Sequence, residues 1–182
     1  MKVSVILSLM ALTLSALHVR ASPSNMAELQ WSTGWANDLD GPLRFQCSPG
    51  HVITDVISVH NNHNEDRRFK FACRPNTALT TSCHWTGYVN NLDQVLNFEC
   101  PGQSVITGWQ SDHNNHNEDR RMKFKCCNIQ GTLTHCATSG NANGFDGLLK
   151  YSVPSNRVLY GLPSWHNNHP EDKIYQFPTC LS

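Results

Sequence analysis

Six of the ten histidines lie in three short polar segments, in which His-Asn-Asn-His begins at His60, His113 and His166. The first two continue as Asn-Glu-Asp-Arg, ending at Arg67 and Arg120. The third has Pro170 where the others have Asn64 and Asn117, and Lys173 in place of the arginine. Imidazoles, carboxamides and carboxylates held this close support three kinds of chemistry. They can hydrogen-bond sugar hydroxyls, which need short planar donors and acceptors. The candidate glycan-binding sets are His60, Asn61, Asn62, His63 and Glu65, then His113, Asn114, Asn115, His116 and Glu118, then His166, Asn167, Asn168, His169 and Glu171. Trp109 and Trp165, just upstream, are candidate platforms for the apolar face of a sugar; Val56 and Val59 stand there in the first segment. The same residues could hold a divalent cation, with His60, His63, Glu65 and Asp66 at ligand-like spacing. On a strand, His60 and His63 would face opposite sides, so only a turn could bring them together. Clustered imidazoles also titrate near pH 6.5 and could sense acidification.

A purely structural reading stands beside these. Asn and Asp bond nearby backbone in tight turns, and Asp66 and Asp119 could pair Arg67 and Arg120. The polar residues hold steady across the three segments, whereas the apolar position occupied by Phe69, Met122 and Tyr175 drifts. Solvated loops with no task vary more than that, so a structural or binding duty holds them. Nucleophilic catalysis has no support: the chain has no Gly-x-Ser-x-Gly, and every cysteine has a plausible bonded partner. The chain therefore reads as non-enzymatic.

The elements that must position these segments repeat with them. A shift of 53 residues aligns the chain from Trp31 to Cys180 without a gap, superposing Gly34, Gly87 and Gly140; Asn37, Asn90 and Asn143; Asp40, Asp93 and Asp146; and Phe71, Phe124 and Phe177. A triplication that keeps register this long is a strong architectural signal. Each unit starts with a turn-rich stretch and runs into a short strand ending at Phe45-Gln46-Cys47. A Pro/Gly turn and a β-branched strand over Val52 to Val59 follow. After the polar segment, Arg68-Phe69-Lys70-Phe71 alternates with period two, the mark of a half-buried strand. Thr77 to Cys83 could add a fourth. No stretch carries a helical apolar period. The expectation is an all-β domain of three gapless 53-residue repeats (about 31–83, 84–136 and 137–182) around a pseudo-threefold axis, closed as a β-prism or in a β-trefoil-like way.

The repeat also sorts the eight cysteines. Cys47 and Cys73 are 26 apart, as are Cys100 and Cys126, and in the third unit both positions change together, to Val153 and Thr179. Joint loss points to the pairs Cys47–Cys73 and Cys100–Cys126. The other four cysteines allow three pairings; Cys83–Cys127 and Cys136–Cys180 alone respect the repeat and would staple neighbouring units. An even cysteine count fits an oxidising, extracellular compartment. Residues 1–21 fit a secretory signal, with Lys2, an apolar run from Val3 to Leu17, and Val19 and Ala21 at a small-residue cleavage site. A single domain over 22–182 would remain. With 14 basic and 14 acidic residues the chain is formally neutral, which argues against an electrostatic nucleic-acid binder. No second long apolar run is present, so no membrane span is expected.

Asp66-Arg67-Arg68-Phe69-Lys70-Phe71-Ala72-Cys73 resembles the Asp-Arg-x-aromatic-x-aromatic-x-Cys repeat of the dermatopontin family. Asp119 to Cys127 resembles its double-cysteine version, with Met122 at an aromatic position, and Asp172 to Cys180 looks like a degenerate third copy. The resemblance implies a secreted, disulfide-bonded protein without catalytic activity. Vertebrate members are similar to adhesive matrix proteins, and invertebrate members include haemagglutinins and aggregation factors. The chain has four tyrosines and no Arg-Gly-Asp, departures that favour an invertebrate lectin-like role. The implied partners are glycans, proteoglycans or other matrix proteins, with homo-oligomers possible and no cofactor except a divalent cation at the His-Asn segments. A matrix or biomineral scaffold is the alternative. A cytolytic role would need an amphipathic stretch, and none is evident. Arg67, Arg68, Lys70, Arg120, Arg121, Lys123 and Lys125 could add contacts to sulfate.

Overall fold

A computed structural model describes residues 30–182; the signal expected at 1–21 lies outside the described residues. Every regular element among them is a strand. They run β1 Gln30–Trp31, β2 Leu43–Gln46, β3 His51–Asn61, β4 Asp66–Pro75, β5 Leu79–Trp85, β6 Leu96–Glu99, β7 Ser104–Asn114, β8 Asp119–Ile129, β9 Thr134–Thr138, β10 Leu149–Ser152, β11 Arg157–Leu159, β12 Gly161–Asn167, β13 Asp172–Tyr175 and β14 Pro178–Leu181. β-branched and aromatic residues at alternate positions give each hairpin one buried face.

The pairing closes on itself. Each unit's short first strand leaves its own hairpin and joins another unit's: β2 pairs β7, β6 pairs β12, and β10 pairs β3. The last of these returns the third unit to the first, so the chain forms a closed cycle, an arrangement compatible with the pseudo-threefold reading. Every pairing is antiparallel.

Most apolar faces meet in one central core, and a smaller cluster gathers Val52, Val105, Ile129 and Val158. Three stacked ring pairs recur at equivalent positions: Phe45 on Phe71 at 4.4 Å, Phe98 on Phe124 at 4.9 Å and Tyr151 on Phe177 at 4.4 Å between centroids. The disulfides are Cys47–Cys73, Cys100–Cys126, Cys83–Cys127 and Cys136–Cys180. Each contributes about 3–4 kcal/mol by loop-closure entropy. In the third unit Val153 and Thr179, both buried, fill the space of the missing bridge.

The buried asparagines explain why one residue type recurs thrice. The Asn37 side chain donates to Arg67 O at 2.9 Å and accepts from Phe69 N at 2.9 Å. Asn90 does the same with Arg120 O and Met122 N, and Asn143 with Lys173 O and Tyr175 N. A carboxamide here replaces a neighbouring strand, satisfying backbone groups that burial would otherwise leave orphaned.

Candidate functional site

Each polar segment spans the end of one strand, a tight turn and the start of the next. Asn61 Oδ1 accepts from the backbone N–H groups of His63 and Asn64, Asn114 Oδ1 from those of His116 and Asn117, and Asn167 Oδ1 from that of His169, closing the turns. Glu65, Glu118 and Glu171 end the turns in the left-handed region, with φ of 44°, 44° and 43°. Asp40, Asp93 and Asp146 share that conformation. Their backbone N–H groups donate to Asp66, Asp119 and Asp172, each at 2.8 Å.

Asp66 and Arg67, adjacent in sequence, do not pair with each other. Arg67 forks onto Asp172 of the third unit with two bonds of 2.6 Å. Arg120 forks onto Asp66 of the first unit at 2.6 and 2.5 Å. Lys173 completes the cycle with Nζ 2.9 Å from Asp119 Oδ1, an ion pair whose angle makes no hydrogen bond. All six side chains are buried. The pairing expected between neighbours in sequence is thus corrected: period two points successive side chains to different surroundings, and the cyclic closure brings the next unit's charge to each inward one.

The histidines divide. The first of each segment lies on its strand and turns inward, with the side chains of His60, His113 and His166 only 0%, 1% and 1% exposed. The second of each, His63, His116 and His169, stands on an exposed turn with Asn62, Asn115 and Asn168. His60 and His63 are therefore not brought together. His60 faces Asp146 and Asp172 instead. The Glu side chains converge on the same end of the molecule. Burial pushes the Glu118 carboxyl up from its ordinary range; His113 counters this, while Asp40, Glu171 and Glu65 reinforce it.

Trp109 is not a sugar platform. It is wholly buried, its ring 5.3 Å from Phe69, 5.4 Å from Phe124 and 5.6 Å from Phe71. The signal was in the repeat: its equivalents, Val56 and Leu162, are apolar and equally buried. Trp165 is half-buried on β12, opposite Ile174.

A second candidate surface lies on the outer sheet faces. Arg67 and Arg120 leave the basic set expected to face solvent, because the ring uses them. The remaining members alternate outward. In unit two the Tyr88 ring lies 4.2 Å from both the Arg121 guanidinium and the Lys123 ammonium. Its hydroxyl donates to Asp112, which also pairs Arg44. Those bonds outweigh burial and hold the Asp112 carboxyl below its ordinary value, and the same bond pushes the Tyr88 phenol up. Trp85 lies across Gly108, where an added Cβ would meet the indole at 2.9 Å. Arg44, Phe45, Gln46, Trp85 and Gln110 line a cleft of about 340 Å³ there. Unit one carries a weaker version, with Arg68 over Trp35 at 5.0 Å and Lys70 over Trp31 at 5.6 Å. Unit three has Ile174 and Gln176 at the Arg and Lys positions. Sequence reasoning missed the Trp85–Gly108 pair, which joins β5 to β7 across 23 residues.

Among known proteins, the chain is similar to a hemagglutinin/amebocyte aggregation factor of Limulus polyphemus, 43% identical over 155 residues that cover 84% of this chain and 90% of that protein. It is 37% identical over 140 residues to a dermatopontin of Biomphalaria glabrata, covering 76% and 94%. It is 33% identical over 144 residues to Millepora cytotoxin-1 of Millepora dichotoma, covering 79% and 65%. No solved structure matches it. The family model for dermatopontin matches residues 37–182, a span that opens at the first strand-mimicking asparagine and takes in all three Asp-Arg/Lys ring positions, so the chain belongs to the dermatopontin family.

Proposed function

We propose that the chain is an extracellular, non-enzymatic adhesion protein of the agglutinin type that binds anionic glycans. The observation that carries this reading is the outer face of unit two. It offers what an acidic sugar needs: a flat aromatic surface at Trp85, planar amides at Gln46 and Gln110 and a cation at Arg44 line one cleft, Lys125 bonds Gln46 at its edge, and Arg121 and Lys123 add charge on the same sheet over Tyr88. Charged hydrogen bonds to sulfate or carboxylate would supply about 1.5–3 kcal/mol each. Four disulfides suit an oxidising compartment, and the name of the Limulus relative supports aggregation as the outcome.

A second reading, binding of neutral glycans at the turn tips, is favoured by their exposure. Asn62 and His63, Asn115 and His116, and Asn168 and His169 stand clear of the locked ring in three copies. Three weak sites on one body would gain avidity. Retention on immobilised heparin and agglutination of red cells separate the two. Trp85→Ala combined with Lys123→Gln and Lys125→Gln should weaken heparin binding at least tenfold, since each tenfold is about 1.4 kcal/mol. His63→Ala, His116→Ala and His169→Ala together should leave heparin binding unchanged. Unchanged heparin binding in the Trp85/Lys123/Lys125 variant would sink the first reading; agglutination lost only in the tip variant would establish the second. Sedimentation with collagen or mineral, in the absence of any glycan binding, would favour a matrix scaffold.

A further inference from the structure

The inward histidines are buried but only half satisfied. One nitrogen of each is bonded, Nδ1 of His60 and His113 to Asn62 and Asn115 and Nε2 of His166 to Glu171. Nε2 of His60 and of His113, Nδ1 of His166 and Oδ1 of Asp40 have no hydrogen-bond partner among the described residues. Orphaned buried polar atoms of this kind are uncommon and ask for an explanation. Each histidine faces two aspartates of another unit, one from each ring nitrogen. His113 Nδ1 lies 3.8 Å from Asp40 Oδ1 and its Nε2 3.8 Å from Asp66 Oδ1; His60 Nδ1 lies 3.4 Å from Asp146 Oδ1 and its Nε2 3.9 Å from Asp172 Oδ1. In each group one nitrogen and two carboxylate oxygens lie within 4.8 Å of one another. These separations are longer than most hydrogen bonds. They suit donors that share an ion at roughly 2.0–2.2 Å from each.

The charges agree. Asp40, Asp66, Asp93, Asp119, Asp146 and Asp172, with Glu65, Glu118 and Glu171, surround this end of the molecule. Among the described residues, Arg67, Arg120 and Lys173 oppose them there. The Arg forks do not exhaust the acceptors. Asp66 Oδ1 accepts only Arg120 Nε, which leaves a lone pair toward His113.

We propose that the clefts His113–Asp40–Asp66 and His60–Asp146–Asp172 each bind one divalent cation of the zinc type, joining unit two to unit one and unit one to unit three. An imidazole with two carboxylates is a borderline donor set; calcium would prefer oxygens and leave the histidine out. Glu118 Oε2, 3.7 Å from His113 Nε2, and Glu65 Oε2, 3.8 Å from His60 Nε2, stand close to the same histidines. The third cleft differs in its charge. The free His166 Nδ1 faces Asp119 Oδ1 at 3.7 Å, but the Lys173 ammonium already stands 2.9 Å from that oxygen, so a cation is built in. The stoichiometry is therefore two, not three. The proposal is independent of glycan binding.

The test is calorimetric titration of the chelator-stripped full chain with Zn²⁺. Two ions should bind, and Tm should rise by about 10–20 °C when zinc stands about a hundredfold above Kd for both sites. Asp40→Asn and Asp146→Asn should each remove one ion and together both. Both aspartates sit at φ near 57°, which asparagine tolerates, so these variants should fold. His63→Asn, His116→Asn and His169→Asn together should leave both ions bound. No zinc binding by the wild type, two ions retained by the Asp40/Asp146 double variant, or loss of binding in the turn-tip variant would each overturn the proposal.

Discussion

Trp109→Ala should lower the stability of the fold by about 3–5 kcal/mol, the range for truncating a buried large aromatic, and leave heparin retention per folded molecule unchanged. The indole is wholly buried and packs against rings from all three units: Phe69 and Phe71, Phe124, and Tyr175 at 6.1 Å. Its removal leaves a cavity at the point where the units meet, a place that cannot collapse without moving several strands. Trp109→Leu should cost less, because leucine already occupies this position in the third unit as Leu162. Denaturant midpoints measure both. A loss below about 0.5 kcal/mol for the alanine variant is what an exposed sugar platform would give, and would contradict the core assignment.

The strands were legible because their pattern is local. Arg68-Phe69-Lys70-Phe71 announces one buried and one solvated face, and the structure folds it as β4 with Phe69 and Phe71 inside. The cysteine pairs were legible because the triplication makes loss of a partner visible at Val153 and Thr179. Trp109 has the chemistry of a sugar platform, but its repeat equivalents Val56 and Leu162 mark the position as core. The ring was not legible. Arg67 meets Asp172 across 105 residues and Arg120 meets Asp66 across 54, and a repeat cannot say which copy's aspartate each cation takes. That choice is made by β2, β6 and β10 leaving their own hairpins. The fate of the histidines follows from it, since His60 and His113 find their aspartates only after the cycle closes. The cleft of unit two has the same character, because Trp85 finds its place only where Gly108 lacks a side chain.

Arg120→Met should destabilise the protein by about 3–5 kcal/mol, the cost of leaving one partner of a buried pair uncompensated. Asp66 is buried and would lose both guanidinium bonds, keeping only the Asp40 N–H. Arg120 would also lose its bonds to Ser111 Oγ and Gly41 O, so the damage reaches the turn of unit one as well as the hairpin of unit two. Arg120→Met with Asp66→Leu should recover part of the loss, because the buried charge is then gone from both sides. Lys173→Arg tests the same ring from the other direction. Lysine meets Asp119 as a point charge, whereas arginine could fork onto it as Arg67 and Arg120 do with their own partners. Its Tm should equal or exceed that of the wild type. Chemical denaturation of the three variants reads the ring directly: a neutral Arg120→Met would show that the ion pairs add nothing to the fold, and a strongly destabilising Lys173→Arg would show that the third position is not equivalent to the other two. If the ring locks the units as its geometry requires, these polar residues hold steady across the repeats for the same reason a core does, with charge doing the packing.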